Sequence, residues 1–226
     1  MSAVVYPIAL ELSGKRCLVV GGGVIADGKL DALVAAGARI TLVSPDVLPR
    51  IAGFATDGQI DWRRRPYEPA DLDGAFLVIA ATDDRAVNAG VAAEARARGI
   101  LVNAVDDIPH CDFFAVAIVR RGDLQLAIST NGRSPAFARW LRERFDREIP
   151  AEYGDLLAVL GDVRERLKAS GPIPAYDAWR DAIDDDLLAA LRAGGREAAE
   201  ERLMRRLAAE RVMASAPANH GAGGVQ

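Results

Sequence analysis

Short apolar runs alternate with alanine-rich stretches of helical periodicity along the first half of the chain. Five runs predict strands: KRCLVV (15–20), RITLVS (39–44), IDWRRRP (60–66), AFLVIAAT (75–82) and ILVNAV (100–105). Two of the segments between them, VIADGKLDALVAAG (24–37) and DDRAVNAGVAAEARARG (83–99), predict helices that end at a glycine. Continuous apolar strands separated by helices are typical of a parallel sheet covered on both faces, so we predict an α/β, Rossmann-like fold.

The pattern changes after this region. FFAVAIVRR (113–121) and LQLAIST (124–130) predict two strands of a small hairpin, because Gly122-Asp123 between them is a typical tight turn. A helix follows, with Ser134 as its N-cap and Pro135 at its first position.

The apolar spacing within that helix predicts how it packs. Phe137, Leu141 and Phe145 recur every four residues, which predicts one buried face. From Pro150 onward the pattern is helical, with a single interruption at SGPIP (170–174). We therefore expect a Rossmann-like domain at 1–112, a hairpin and helix at 113–148, a helical domain at 149–213 and a disordered tail at 214–226.

Composition narrows the function classes. The chain has 226 residues, half of them hydrophobic, and a formal net charge of -4, which argues against a general nucleic-acid binder. No apolar stretch is long enough to cross a bilayer and no signal peptide is evident. We therefore expect a cytoplasmic protein that does not bind a membrane. Two cysteines do not form a disulfide framework, and the adjacent His110 and Cys111 lack a third ligand, so we expect no metal site.

A glycine run after the first strand suggests a nucleotide site. Gly21, Gly23 and Ala26 fit G-x-G-x-x-A between a strand and a helix. In that setting the first glycine makes the turn, the second admits a pyrophosphate and the small third residue lets the helix pack closely. The helix N-terminus offers free N–H groups to the phosphates. The alternative interpretation of this motif is a tight strand-to-helix turn that binds no ligand. The motif assigns no role to Gly22 beyond close backbone packing.

The end of the second strand bears on which nucleotide is bound. An acidic residue there usually binds the ribose 2′-hydroxyl, and Asp46 lies slightly beyond the ideal place. No arginine stands at that strand end to accept a 2′-phosphate, since Arg50 is farther along the chain. NAD is therefore favoured over NADP, with a solvated turn residue as the alternative interpretation of Asp46.

Polar residues follow the fourth and fifth strands, where ligands of a parallel sheet bind. Thr82 and Asn103 are candidate cofactor contacts, and Asp106 is the best-placed carboxylate. An ionised aspartate could accept a proton as hydride leaves a substrate. A turn carboxylate is the alternative for Asp106, and helix caps are the favoured interpretation of Asp83 and Asp84.

Five longer motifs follow one another between Tyr6 and Lys168: VVGGGxxAxxKxxxLxxAGAxxTxVSP, ADLDGAFLVIAATDDRAVN, ILVNAVDD, CDFF and SPAFARWLRERF. Taken together, they resemble the precorrin-2 dehydrogenase/sirohydrochlorin ferrochelatase family, which includes the N-terminal half of siroheme synthase. The resemblance implies NAD-dependent oxidation of precorrin-2 to sirohydrochlorin, and in many members insertion of ferrous iron (Fe²⁺) to give siroheme. It also implies a homodimer, in which the hairpin at 113–130 crosses between subunits.

The resemblance also implies site residues. The family's key aspartate falls on Asp106. Its nucleotide contacts fall on the glycine loop, and on these positions at the start of the first helix and after the second strand: Val24, Ile25, Pro45 and Asp46.

A substrate with many carboxylates needs basic groups to hold it. Arginines cluster in the hairpin and the helix after it: Arg120, Arg121, Arg133, Arg139 and Arg142. We select Arg120, Arg133 and the neighbouring Thr130 as substrate contacts, although each arginine could be an ordinary exposed charge.

Two other functions stay open: a non-catalytic NAD(H)-sensing module, and a dehydrogenase of another small substrate.

Overall fold

The computed structural model describes residues 5–105, 107, 109 and 111–215, with side chains as far as residue 209. The chain divides into two compact units. One contains the described residues up to Ala115 together with Asn131–Arg133, and the other contains Val116–Thr130 and the described residues from Ser134 onward.

The first unit is built on a five-stranded parallel sheet. Its strands are β1 (Arg16–Val20), β2 (Arg39–Val43), β3 (Ile60–Arg63), β4 (Leu77–Ala80) and β5 (Leu101–Ala104), in the order β3-β2-β1-β4-β5. The helices are α1 (Val24–Ala35), α2 (Pro49–Thr56) and α3 (Arg85–Ala97). The predicted α/β fold with a parallel sheet is confirmed, and all five predicted strands are present.

Alternate residues of β1 explain why the sheet is covered on both sides. Cys17 and Val19 pack with Leu30 of α1, whereas Leu18 and Val20 pack with Val91 of α3. Side chains of a strand alternate between the two faces, so a fully buried strand must be apolar at every position. The continuous apolar pattern of this strand follows from that burial.

The predicted helix ends are also confirmed. Gly37 and Gly99, which follow α1 and α3, have φ angles of 68° and 69°, a region that glycine enters without a steric penalty. Asp84 is the N-cap of α3, and its carboxylate accepts the backbone N–H of Ala86 at 2.8 Å.

A buried aspartate pairs with two arginines at the end of β3 and just after it. Asp71, in a short 3-10 helix at Pro69–Leu72, is fully buried and accepts hydrogen bonds from Arg65 at 2.6 and 2.8 Å and from Arg63 at 2.9 Å. Burial by itself would raise the pKa of Asp71, but the Arg65, backbone Glu68 and Arg63 donors lower it to about 2. The third arginine, Arg64, lies over the ring of Trp62 at 4.6 Å.

The second unit contains the hairpin and the C-terminal helices. β6 (Ala117–Arg121) and β7 (Leu124–Ile128) pair antiparallel, with Gly122 in the turn at a φ of 56°. The helices are α4 (Pro135–Glu148), α5 (Glu152–Ser170), α6 (Tyr176–Ala182) and α7 (Asp185–Ser215), which is broken at Gly195. The predicted hairpin is confirmed, as is the Ser134 cap, whose hydroxyl accepts the N–H of Phe137 at 3.2 Å. The predicted tail at 214–226 begins inside α7, and residues 216–226 lie outside the described part of the chain.

The predicted buried face of α4 is wrong. None of its residues is buried, and Phe137 is 51% exposed. Its ring stacks on Trp140, also 51% exposed, with centroids 5.8 Å apart. The physical reason is that β6 and β7 cover only part of this helix. The spacing of apolar residues predicts an apolar face on a helix, but it does not show whether another element packs on that face.

Within the part of the chain that the structure describes, no helix is both long enough and apolar enough to cross a membrane.

Candidate functional site

The three glycines after β1 have three different environments. Gly21 has a φ of 112°, and a Cβ there would lie 2.3 Å from the carbonyl oxygen of Ala81. Its N–H donates to the carbonyl oxygen of Val43 at 2.9 Å, so the turn lies against the ends of both neighbouring strands. Only glycine combines that φ with that close approach.

Gly22 packs against the turn that follows β2. A Cβ at this position would lie 2.3 Å from the carbonyl oxygen of Asp46 and 2.7 Å from a methyl carbon of Val47. Its own carbonyl accepts the N–H of Leu48 at 3.0 Å. The middle glycine therefore joins the glycine loop to the chain leaving β2, a role that the sequence pattern did not reveal.

Gly23 faces open space at the start of α1. It is exposed, it is the N-cap residue, and a Cβ there would meet nothing within 4 Å. The next two side chains, Val24 and Ile25, are 76% and 44% exposed, while Ala26 is fully buried against the sheet. The first turn of a helix has N–H groups without intrahelical partners, so an anion can approach the backbone here without meeting a side chain at Gly23.

The chain after β2 borders this loop. Pro45 and Asp46 are exposed, and the hydroxyl of Ser44 donates to the carbonyl oxygen of Asp46 at 2.6 Å. Arg50 of α2 is bound to two carboxylates of α1, Asp27 at 2.9 Å and Asp31 at 2.5 Å. The nearest arginine after β2 is thus already paired within the domain.

Thr82, after β4, is held by a buried side chain that sequence reasoning missed. Asn88 of α3, which is 3% exposed, accepts the Thr82 N–H at 3.1 Å and donates to the Thr82 carbonyl oxygen at 2.9 Å. The Thr82 hydroxyl donates to the same amide oxygen at 2.8 Å. An asparagine on the apolar face of α3, three positions before Val91, was the available signal in the sequence.

The chain that follows the loop after β5 is hydrogen-bonded back to β5 itself. Asp112 accepts the N–H of Val102 at 3.1 Å and is paired with Arg96 at 3.2 Å. The thiol of Cys111 donates to the carbonyl oxygen of Ala104 at 3.0 Å, and burial raises the pKa of that thiol. Asp106 and His110, both named from the sequence, lie outside the described residues.

Asn103 is almost fully buried at 9% exposure, and its amide donates to the carbonyl oxygen of Phe113 at 2.9 Å. Its donor group is therefore engaged in holding the far end of the same loop. Over the described ranges, with the gaps at 106, 108 and 110, no three His, Cys, Asp or Glu side chains come together in a metal-binding cluster.

The residues selected as substrate contacts belong to a tight turn and the hairpin. Asn131 and Gly132 have φ angles of 52° and 71°, and Thr130 accepts the N–H of Ser134 at 3.3 Å. Arg120 and Arg133 are exposed, and neither has an ion-pair partner among the described residues.

Two other arginines of the predicted cluster are engaged elsewhere. Arg121 donates to the carbonyl oxygens of Asp146 and Ile149 at 2.6 and 2.7 Å, which caps the end of α4. Arg139 pairs with Glu143 on the same helix at 2.8 Å. Arg121 is therefore committed to the end of α4, whereas Arg139 is 77% exposed and makes only a surface ion pair.

Comparison with known proteins gives consistent matches along most of the chain. Residues 8–117 match the family model of putative NAD(P)-binding domains, and residues 121–148 match that of the sirohaem biosynthesis protein central region. The siroheme synthase of Chromobacterium violaceum is 40% identical over 208 residues, covering 90% of this chain and 44% of that protein. The siroheme synthase of Methylobacillus flagellatus is 48% identical over 162 residues, covering 72% of this chain and 35% of that protein.

This chain therefore spans less than half the length of these two relatives. Among solved structures, the precorrin-2 dehydrogenase SirC superimposes with a TM-score of 0.70 at 28% identity, covering 89% of this chain and all of that one.

Proposed function

Because this chain belongs to the precorrin-2 dehydrogenase and siroheme synthase family, we propose that it oxidises precorrin-2 to sirohydrochlorin with NAD as the hydride acceptor. The observation that carries the proposal is the likeness to a precorrin-2 dehydrogenase over that protein's whole length. The glycine loop supports it, because Gly23 leaves its backbone open at the N-terminus of α1.

The cofactor is a nicotinamide dinucleotide, and the glycine loop fits its diphosphate. A ligand phosphate would accept N–H groups at the start of α1, beside the exposed side chains of Val24 and Ile25. Gly21 and Gly22 hold the loop in this shape, since a Cβ on either would collide with backbone atoms. When bound, the nicotinamide ring supplies the hydride acceptor.

We assign NAD rather than NADP from the charges around the end of β2. Asp46 is exposed there, and a carboxylate accepts hydrogen bonds from ribose hydroxyls but repels a 2′-phosphate. Arg50 is paired with Asp27 and Asp31, so it does not offer a compensating positive charge. In this proposal Pro45 and Asp46 border the ribose.

Asp106 is the proposed base of the reaction. Dehydrogenation removes a hydride and a proton from the tetrapyrrole, and an aspartate that is ionised at neutral pH can take the proton. The contacts of Asp112 with Val102 and of Cys111 with Ala104 tie the described residues after Asp106 in the chain to those before it. Thr82, which follows β4, and Asn103, in the last part of β5, are the other proposed cofactor contacts.

The substrate's carboxylates need cationic partners. Arg120 and Arg133 are exposed and make no ion pair among the described residues, although Arg120 donates to the amide oxygen of Gln125 at 3.4 Å. We therefore retain Arg120, Arg133 and Thr130 as the substrate contacts.

The assembly that we propose is a homodimer. Phe137 and Trp140 form a stacked aromatic pair on α4 that is half exposed in the single chain. Aromatic side chains are enriched at subunit interfaces, where their apolar area is removed from water. A second copy of the chain would cover this pair.

Ferrous iron is the proposed second substrate, because the relatives at 40% and 48% identity are siroheme synthases. Metal insertion requires loss of protons from pyrrole nitrogens, and Asp106 could accept these as well. The two activities are separable in the assay below.

The function is tested by incubating the chain with enzymatically generated precorrin-2 and NAD and following sirohydrochlorin by absorbance. We expect turnover with the native chain and a loss of roughly a hundredfold or more in Asp106→Asn, as for removal of a catalytic base. Asp83→Asn, an exposed aspartate after β4, is the matched control and should keep its activity.

Several results would contradict the proposal. NAD binding without turnover by the native protein would favour a non-catalytic NAD(H)-sensing module. Full activity of Asp106→Asn would show that Asp106 is not the base, and would leave the proposed dehydrogenase activity unaffected. Iron insertion is measured separately with sirohydrochlorin and Fe²⁺ in the absence of NAD.

A further inference from the structure

A cavity of about 350 Å³ lies at the carboxyl ends of β1, β2 and β4, on the face of the sheet that α3 covers. Ligand sites in proteins have volumes of roughly 300–1,000 Å³, so one heterocyclic base with part of its sugar can enter. It is lined by Val20, Gly21, Val43, Ser44, Pro45, Pro66, Tyr67, Thr82, Val87, Gly90 and Val91.

The position of the cavity identifies which half of a dinucleotide it suits. Gly21 belongs both to the cavity wall and to the glycine loop, so a ligand whose diphosphate lies on that loop can extend into the cavity. No residue of β5 lines it, whereas Asp106 follows β5 in the chain. The cavity therefore lies on the side of the glycine loop away from the proposed chemistry, where the non-reacting base belongs.

Two of the three polar side chains of the wall, those of Ser44 and Thr82, already have partners. The Ser44 hydroxyl donates to the carbonyl oxygen of Asp46 at 2.6 Å, and the Thr82 hydroxyl donates to Asn88 at 2.8 Å. The third, the Tyr67 hydroxyl, has no hydrogen-bond partner among the described residues but is buried from water, so the part of Tyr67 that the cavity presents is its ring. A base entering this site meets apolar surface and the ring of Tyr67.

Gly90 is an unexpected residue for this wall. It lies inside α3, where glycine is unfavourable for the helix, and a Cβ there would meet nothing within 4 Å. Neither a positive φ nor a close contact requires glycine at this position. What the missing side chain provides is open space on the cavity side of α3.

We propose that Gly90 and Tyr67 determine how the base of the dinucleotide is recognised: Gly90 leaves the space, and the Tyr67 ring supplies a stacking surface, so the base is selected by shape and not by hydrogen bonds to its edge. This inference rests on the proposed function. It predicts that a cofactor with hypoxanthine in place of adenine binds nearly as tightly as NAD, because the two bases share their shape and differ in edge groups.

The test measures dissociation constants by calorimetry on the full chain with NAD and with nicotinamide hypoxanthine dinucleotide. Gly90→Leu should raise the dissociation constant for NAD roughly tenfold to a hundredfold, the range expected for losing one stacked base. Its thermal stability should equal or exceed that of the native chain, because leucine favours helix over glycine and a Cβ at this position meets no atom within 4 Å. Weaker binding by a more stable variant cannot be attributed to misfolding.

Matched variants complete the experiment. Gly53→Leu makes the same change inside α2, where a Cβ also meets nothing within 4 Å but which does not line the cavity, and should leave NAD affinity unchanged. Tyr67→Phe keeps the ring and should bind NAD as the native chain does, whereas Tyr67→Ala should bind it more weakly.

The outcomes separate this inference from the proposed function. If the native chain binds no dinucleotide, the proposed function fails. If it binds NAD and Gly90→Leu binds it equally well, only the base site is wrong. A loss of about tenfold or more with the hypoxanthine analogue would also overturn the inference, since that loss requires a hydrogen bond to the base edge.

Discussion

The side-chain amide of Asn88 makes hydrogen bonds to both backbone polar groups of Thr82, accepting the N–H at 3.1 Å and donating to the carbonyl oxygen at 2.9 Å. A buried side chain on α3 thus replaces the partners that the backbone loses where β4 ends. The turn that carries a proposed cofactor contact is therefore held from inside the helix that follows it.

Asn88→Ala should lower the free energy of unfolding by about 1–3 kcal/mol, the cost of leaving buried backbone groups unpaired. It should also weaken NAD binding, because the turn at Thr82 borders the cavity. Urea unfolding and calorimetry measure the two effects. Thr82→Val, which removes only the hydroxyl, is the control and should cost less; equal losses for the two variants would contradict the role given to Asn88.

Gly22→Ala and Gly23→Ala should have opposite consequences. The Cβ of the first would lie 2.3 Å from the carbonyl oxygen of Asp46, so we expect a loss of about 1–3 kcal/mol of stability from overpacking. The Cβ of the second meets no protein atom within 4 Å, so stability should be retained while NAD affinity falls. Thermal unfolding and calorimetry on both variants check this contrast, which disappears if Gly23→Ala binds NAD normally.

Asp71 should make stability depend on pH in the acid range. Its pKa is lowered to about 2 in the folded protein, below the ordinary value of about 3.8, because donors from Arg65, Glu68 and Arg63 outweigh the effect of burial. The stabilisation is therefore complete above about pH 5 and is lost progressively as the pH falls towards about 1, through the unfolded and then the folded pKa. Its size is about 2 kcal/mol by proton linkage.

The measurement for Asp71 is urea unfolding of the native chain and Asp71→Asn between pH 2 and 6. The variant should be less stable at neutral pH and should show a flatter dependence below pH 4. Asp61→Asn changes a carboxylate that is 63% exposed and should behave as the native chain does. If the unfolding free energy of Asp71→Asn falls with decreasing pH as steeply as that of the native chain, other carboxylates cause the acid sensitivity.

The exposed aromatic pair on α4 leads to a prediction on assembly. Replacing Phe137 and Trp140 together by serine should convert a dimer into a monomer, because it removes the apolar area that a second copy would cover. Light scattering after size-exclusion chromatography gives the mass. Tyr176→Ser, at an aromatic side chain that is 76% exposed on α6, should leave the dimer intact. A native chain that runs as a monomer at micromolar concentration would refute the assembly.

The sheet was predictable because β1, β2 and β4 have runs of apolar residues at successive positions, a pattern that burial on both faces imposes. α2 was missed, since its eight residues begin at a proline and include Gly53, so the helical period is too short to register. The pairing of Asp71 with Arg63 and Arg65 was also invisible, because a turn brings these positions together and no spacing rule describes it.

The candidate site was predictable in its type more than in its details. The motif identified Gly21 and Gly23, but the reason for Gly22 depends on where the chain after β2 lies. For the apolar stripe of α4, the period indicated a hydrophobic face and could not show whether the same chain covers it. Asp106 was named from the residues that precede it, and its role stays a prediction.

Arg50 shows how an acidic protein can attract an anionic cofactor. The chain has a net charge of -4, and Asp27 and Asp31 lie on the helix whose N-terminus would receive a diphosphate. By pairing with both carboxylates, Arg50 acts as their built-in counter-ion, so an approaching diphosphate meets the backbone dipole of α1 with less repulsion from the helix's own side chains. If the cofactor binds as proposed, local neutralisation, and not a surplus of positive charge, limits the repulsion that its diphosphate meets at the start of α1.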